Sequence, residues 1–469
     1  MFADIRVRCD GMLESLQAKV RYVLEEFGAR TGHRYFLIPG GDGDAVYSPE
    51  PPASGIWLKF DEQLYGDGAP VGWLDRVVAA TGGATYPEAV GQIDIIGSAY
   101  RLVTLADELA MPSAVRTIHG NLPLAAQPQV RRSTARIALF DRLAHLFARQ
   151  FGAPSSPPAW PSGHNIAVCV THDTDAVNWG HPLELAFNAA KRVLRNSRLH
   201  GELIRSGWRD GFRADASRYF EAGRQFLNPT GAPSTYYLSV LRRSRRTTND
   251  VRSRVDNNAT DWQRLRALAA KGHEFGYHPQ IRARDDLDEM VASKHWIEER
   301  LEHPLFGIRH HYWAIDWNAP WLTYRKHVNA GFRYDASMAF PDAPGFRAAT
   351  CHPFRPFDPV RQRPLDMYVV PTVLMDGHLL GLPATEEQAR LMLRHVDEMV
   401  AECVRISGVL VLDWHTETAC DRAIYKGYFS RLVQILQRIG ETADPWYATP
   451  WDIVRHVHER RTAAARGGT

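Results

Sequence analysis

Hydrophobic and polar positions along the chain follow helical and strand spacings that change character at one boundary. Up to about Gly152 the two spacings are mixed. Met12–Phe27 carries Met12, Leu13, Leu16, Val20, Val23 and Leu24 on one helix face. Tyr35–Ile38 reads as a short strand, and a polar, Gly- and Pro-rich passage follows to Gly55. Asp94–Leu109 and Ser133–Phe151 are two further predicted helices, the second with Ile137, Leu139, Phe140, Leu143, Leu146 and Phe147 on one broad face. The pattern describes a smaller α/β domain over residues 1–152 that offers no spaced set of catalytic groups. Asp107 and Glu108 fall in it as solvated helix charges. Four prolines within 153–163 then make an extended connector.

From 164 to about 460, apolar runs alternate with amphipathic stretches, the pattern of parallel βα units. Ile166–Val170 is a continuous apolar run, as expected of a strand buried on both faces. It ends in Thr171, His172, Asp173, Thr174 and Asp175. Further strands are predicted at Ser234–Val240, Glu274–Tyr277, Gly307–His311, Gly331–Ser337, Tyr368–Val373 and Val409–Leu412. Helices are predicted at Leu183–Leu194, Tyr219–Leu227, Trp262–Lys271 (closed by Gly272), Asp285–His303, Thr385–Cys403 behind a T-E-E-Q capping box, and Tyr425–Ile439. The fold class is therefore α/β: a deformed (β/α) barrel of about seven strands over 164–460, preceded by the smaller domain. Residues 461–469 are left as a disordered tail.

In such barrels function collects where the strands end. That rule selects Asp173 and Asp175, His278, Arg309 with His310 and His311, and His415. Carboxylates and neutral imidazoles can hold a divalent metal, zinc in the first place, with positions left open for water and substrate. A carboxylate outside the ligand set can take the water's proton and a histidine can protonate the leaving group. Asp175 also fits a helix N-cap. His310 and His311 are adjacent, so on a strand one of them faces the mouth, and His311 is the better placed. His172 points away from Asp173 in an extended chain and reads as packed, and His273 reads as structural. Asp413 either orients a neighbour or faces a helix. Tyr312, Trp313 and Trp414 are the candidate substrate-binding aromatics, and rings at a barrel rim also serve as packing.

Composition narrows the class. A chain of 469 residues has room for two or three domains, and 45% apolar with 23% charged residues is ordinary for a globular protein. A net charge of +3 gives no reason to expect nucleic acid or an anionic membrane as partner. Five scattered cysteines make neither a disulfide framework nor a cysteine zinc site. No apolar run has signal-peptide or membrane-span length, so a cytoplasmic protein is expected.

The strand-end motifs also carry a resemblance. T-H-D-T-D (Thr171–Asp175), K-G-H-E-F-G-Y-H (Lys271–His278), the S-K-x-x-I-E-E run (Ser293–Glu299), G-I-R-H-H-Y-W (Gly307–Trp313) and L-D-W-H (Leu412–His415) resemble, in order and spacing, the motif set of polysaccharide deacetylases of the NodB-homology type. The likeness spans most of Ile166 to about Arg460. It is similar to a divergent T-H-D-x-D branch with an α/β domain in front. The resemblance implies Asp173 as base, Arg309 orienting it, His415 as acid, and a bound metal. Two positions depart from the family pattern. Thr174 stands where the family has the second Asp of its pair, and Arg282 stands four residues after His278. Asp175, His278 and His311 are taken as the substitute ligands. The implied activity is metal-dependent removal of an acyl (acetyl) group from a carbohydrate, an intracellular glycan or sugar precursor. The alternatives are a non-catalytic glycan-binding or assembly protein with a degenerate metal site, and an amidohydrolase acting on a non-carbohydrate amide.

Overall fold

The structure is a computed structural model and describes residues 4–66, 70, 72–82, 93–128, 134–152, 160–175, 232–240, 242, 259–381, 385–419 and 427–466. The predicted helices at Leu183–Leu194 and Tyr219–Leu227 lie outside these residues.

The N-terminal unit is a four-stranded parallel sheet, β1 (Asp4–Arg8), β2 (Arg34–Ile38), β3 (Ala45–Ser48) and β4 (Ile56–Lys59), in the order β2-β1-β3-β4. The helix Glu14–Thr31 crosses from β1 to β2 and buries Val20, Val23, Leu24 and Phe27. It stops at Gly32, whose left-handed backbone (φ 74°) closes its C-terminus. The stretch expected as one helix over Asp94–Leu109 is two, Ile95–Thr104 and Ala106–Leu109, broken at Leu105. Leu105 takes φ 58° with its side chain 2% exposed, so burial in the core wins over helix continuity. The helix expected over Ser133–Phe151 is regular from Leu139 to Arg149. Donors at its start are taken by other parts of the chain: Ala138 N by Glu402 Oε1 (3.0 Å) and Phe140 N by Ala349 O (2.9 Å).

Asp107 and Glu108 are not solvated charges. Asp107 pairs with Arg101, and Glu108 is fully buried against Arg347. The reason is that the N-terminal unit does not stand apart. One hydrophobic cluster holds Phe27, Phe140 and Phe147 together with Trp317, Tyr324, Phe354 and Phe357. Polar contacts cross the same junction: Arg30, paired with Glu26 and Asp141 inside the N-terminal unit, donates from Nη2 to Thr350, and Arg142 pairs with Glu402.

The second unit is a parallel sheet built from β5 (Ile166–Asp173), β6 (Ser234–Leu238), β7 (Glu274–Tyr277), β8 (Gly307–Ile308) and β9 (Tyr334–Asp335). After the small antiparallel pair β10 (Phe357–Asp358) and β11 (Arg363–Pro364) come β12 (Tyr368–Val369), β13 (Leu374–Met375), β14 (Val409–Asp413) and β15 (Pro445–Tyr447). The order is β12-β9-β8-β7-β6-β5-β14-β13, with β15 beside the lower half of β5. The two end strands are consecutive in the chain. Val370 N donates to Asp335 O (2.8 Å) at one edge, and Val373 N donates to Val411 O (3.0 Å) at the other. One stretch, 368–375, therefore serves both edges, and the deformed barrel has seven staves when it is counted once. Pro371, which has no N–H to give, stands at the switch and splits the strand expected over Tyr368–Val373.

Rings fill the barrel beneath its mouth. Tyr237 Oη lies 3.1 Å from Tyr334 Oη, which donates to Glu274 Oε1 (2.7 Å). Gly276 and Gly307 make room for them, since a Cβ there would sit 2.5 Å from Tyr237 and 2.1 Å from Tyr334. The capping box at Thr385 forms as expected. Trp160, in the expected connector, is buried and donates to Ser407 O (3.0 Å). The tail expected from residue 461 is helical through Arg466, and Arg461 pairs with the buried Glu26 at 2.6 Å. Among the described residues no helix is long and apolar enough to cross a membrane.

Candidate active site at the barrel mouth

The expected catalytic and metal-ligand residues all reach the mouth. β5 delivers Asp173 at its last position, and Asp175 follows in the turn. His278 comes directly after β7, Arg309 and His311 after β8, and His415 after β14.

The ligand-type groups converge on Asp175. His278 Nε2 lies 3.0 Å from its Oδ1, and His311 Nε2 lies 3.0 Å from its Oδ2. The far nitrogen of each ring is already engaged. His278 Nδ1 is 2.7 Å from the Arg309 carbonyl, an acceptor, so it carries the proton. His311 Nδ1 is 3.0 Å from Gln280 Oε1, and Gln280 Nε2 donates to Ser239 Oγ (2.7 Å), which orients the amide. Both imidazoles are thus turned with Nε2 towards the carboxylate, the tautomer and orientation that outer-shell acceptors impose on metal-binding histidines. Asp175 Oδ1 and His278 Nε2 are buried and face each other, with no further hydrogen-bond partner. Donor atoms about 2.0–2.1 Å from a tetrahedral zinc stand ~3.3 Å apart, so the 3.0 Å spacings fit a shared cation. Burial raises the Asp175 carboxyl, but the two imidazoles outweigh it and hold it well below the usual carboxylate range. Burial lowers His278 and the carboxylates of Asp173 and Asp175 raise it, with a net rise.

Asp173 stands beside this group. Its Oδ1 accepts from Arg309 Nη1 (3.1 Å), while its Oδ2 is 3.8 Å from His278 Nε2. Arg309 is fully buried and held on all sides: Nη1 pairs with Asp413 Oδ1 (3.1 Å), Nη2 donates to Thr372 Oγ1 (3.0 Å), Nε donates to Ala336 O (3.2 Å), and the guanidinium lies over Tyr237. Asp413 thus takes the first of its two readings and orients a neighbour. Burial and the charge of Asp173 raise its own carboxyl against the pull of Arg309.

On the other flank His415 Nδ1 is 3.0 Å from Asp376 Oδ1, and His415 Nε2 is 3.7 Å from Asp175 Oδ2. Asp376 also accepts from His415 N (3.0 Å) and Thr418 Oγ1 (2.7 Å). Burial raises the Asp376 carboxyl, but His415 leads the groups that hold it below its usual range. Sequence reasoning missed Asp376 and Gln280. Asp376 follows β13 directly, so the strand-end rule would have found it had β13 been separated from β12. Gln280 carries no charge and offered no signal.

The aromatics divide. Tyr312 is 49% exposed and its ring stacks with His311 (4.1 Å) and with His119 of the N-terminal unit (4.3 Å). Trp313 is 5% exposed. Trp414 is corrected as a substrate contact: it is 1% exposed in the core beside Tyr428, because strand alternation sends Asp413 inward and its neighbour outward to the helices.

Three buried residues next to the site form a second histidine–carboxylate group. His310 Nε2 is 2.8 Å from His327 Nε2, His327 Nδ1 is 3.5 Å from Asp335 Oδ2, and Asp335 accepts from Ser337 N (2.8 Å) and Ser337 Oγ (2.9 Å). His172 is packed as expected, between Trp414 O (2.7 Å) and Ser234 Oγ (3.2 Å), and His273 Nδ1 accepts from Ser234 N.

No family model and no curated protein matches the chain. Solved structures with partial likeness include one described as a polysaccharide deacetylase from Mycobacterium smegmatis, 17% identical, covering 66% of this chain and 96% of that one with a TM-score of 0.43. The Puue allantoinase is 14% identical over 65% of this chain and 95% of that one, TM-score 0.41. A protein described as a polysaccharide deacetylase from Pseudomonas aeruginosa PAO1 is 15% identical, with the same coverage and a TM-score of 0.40. The functional reading stands on the geometry.

Proposed function

We propose that the chain is a metal-dependent hydrolase that removes an acyl group, and that its substrate is a carbohydrate. One observation carries the reading: two imidazoles, each with its Nδ1 proton committed to an acceptor, aim Nε2 at a single carboxylate, and a second carboxylate stands beside them. Asp175, His278 and His311 would hold the cation, which when bound lowers the pKa of a coordinated water and polarises an acyl carbonyl.

The remaining steps belong to the chain's own side chains. Arg309 holds Asp173 by Oδ1, which leaves Oδ2, on the His278 side, to take a proton from the attacking water. Asp376 fixes His415 by Nδ1, so that Nε2 faces the site and can return a proton to the leaving group. The four-residue network Asp173–Arg309–Asp413–Thr372 keeps the base in one rotamer. Support for a sugar comes from the motif resemblance, with the half-exposed Tyr312 beside His311 at the mouth.

The test is elemental analysis of the purified protein with turnover of N- and O-acetylated oligosaccharides and of small non-sugar amides. One metal per chain and acetate release from a sugar, lost in Asp173→Asn, are the expected results. Turnover of non-sugar amides alone would replace the carbohydrate. Tight glycan binding with no metal and no turnover would replace the enzyme.

A further inference from the structure

The loop that carries His311 is built in a conformation its residues disfavour. Tyr312 and Trp313 both lie in the left-handed region, at φ 55° and 48°, which bulky aromatic residues rarely occupy. Such a loop persists where its surroundings over-determine it. Here both carbonyls of the strained pair are held by side chains. Tyr312 O accepts from Asn121 Nδ2 (2.9 Å), and Trp313 O accepts from Trp317 Nε1 (2.9 Å).

Both donors are fixed by one residue. Arg347 Nη1 donates to Asn121 Oδ1 (3.0 Å), and its guanidinium lies 3.6 Å from the centroid of the Trp317 ring. A guanidinium only donates, so Asn121 must show it the amide oxygen and turn its NH₂ to the loop. Arg347 is pinned in turn by Ala339 O (2.7 Å) and by Glu108, which receives Nε (3.2 Å) and Nη2. Glu108, Asn121 and Arg347 are 0%, 1% and 0% exposed. Glu108 and Asn121 come from the N-terminal unit, as does His119, whose ring stacks with Tyr312.

We propose that the Glu108–Arg347–Asn121 clamp is a positioning device for the metal ligand His311, so that the N-terminal unit is a working part of the site. This rests on the metal reading given above. The clamp holds the Tyr312 carbonyl one residue beyond His311, and the left-handed turn sets the direction in which the His311 ring leaves the backbone. Release of that carbonyl lets Tyr312 return to negative φ and carries His311 Nε2 away from Asp175. The motif residues alone would then be present and not assembled.

Two variants of the full-length protein test the clamp. Asn121→Asp keeps an oxygen for Arg347 and sets an acceptor against Tyr312 O. Trp317→Phe keeps the stacked ring and removes only the N–H. Co²⁺ affinity, read by chelator competition, falls about 10-fold or more in Asn121→Asp and less in Trp317→Phe, and the visible spectrum of bound Co²⁺ changes in both. Arg142→Gln, which breaks the Glu402 pair across the same junction without touching the loop, leaves both readings unchanged. In a crystal structure of Asn121→Asp, Tyr312 leaves the left-handed region and the 3.0 Å spacing of His311 to Asp175 is lost. Wild-type Co²⁺ affinity in Asn121→Asp, or an unchanged loop in its crystal structure, overturns the clamp. Wild-type protein that binds no Co²⁺ overturns the metal reading, and the crystal comparison then still decides the clamp.

Discussion

Two groups of two histidines and one aspartate lie side by side in this protein, each with donor atoms within 4.8 Å of one another. They share the turn after β8, where His311 belongs to one and His310 to the other. In the first group the outer nitrogens face the acceptors Arg309 O and Gln280 Oε1, and both Nε2 atoms face Asp175. In the second group the Nε2 atoms of His310 and His327 face each other at 2.8 Å, so one must donate to the other, and Asp335 already accepts twice from Ser337. Burial holds His310 well below its usual value, lowers His327 to about 3 and raises Asp335 to about 7. Burial thus favours uncharged rings in the second group, where the two Nε2 atoms engage each other, whereas the first sets two imidazoles against an ionised carboxylate that a cation would complete. Residue type and proximity do not separate the two. The partners behind the rings do.

The largest expected effect breaks the symmetry between them. His278→Ala loses the metal, from one ion per chain to none by elemental analysis, and with it about 10³-fold or more in kcat/KM. His327→Ala keeps the ion and instead costs about 1–3 kcal/mol of stability in urea unfolding. Next, Asp173→Asn keeps the metal and lowers kcat about 10²- to 10⁴-fold, the range for a general base. Asp376→Asn, which leaves His415 without its orienting carboxylate, lowers kcat about 10-fold with KM and metal content unchanged.

The neutral group also predicts a pH dependence. An unfolded imidazole binds its proton near pH 6.5, and burial in the folded state delays this to about pH 3 for His327. Between those values the folded chain binds fewer protons, so stability is full above about pH 6.5 and falls as the pH drops, by up to ~1.4 kcal/mol per unit for this residue. His327→Gln flattens that slope in urea melts taken from pH 7 to pH 5. The smallest effect separates two aromatics: Tyr312→Ala raises KM several-fold, while Trp414→Phe leaves KM within about 2-fold because its ring lies in the core.

The same contrast explains what the sequence could show. Strand ends were legible because a buried parallel strand announces itself as an apolar run and its C-terminal residue must face the mouth, which exposed Asp173, His278, Arg309 and His415 at once. Alternation along a strand rightly separated His172 from Asp173 and, applied to Asp413–His415, also places Trp414 in the core. The short strands were less legible. β13 and β15 have two and three residues, too few to show a period, and Asp376 went with β13. The Glu108–Arg347 pair joins positions 239 apart, and nothing local marks either as buried. Helix charges read as solvated because solvent is their default surrounding. The shared core of the two units, invisible to local pattern, reverses that for Glu108.

The central claim is that the cation belongs between Asp175, His278 and His311. Anomalous X-ray scattering at the zinc edge, from crystals of the wild-type protein grown with zinc, tests it most directly. The account predicts a single strong peak within bonding distance of His278 Nε2, His311 Nε2 and an Asp175 oxygen, with none among His310, His327 and Asp335. A peak in the second group, or a zinc-replete crystal with none at Asp175, would contradict it.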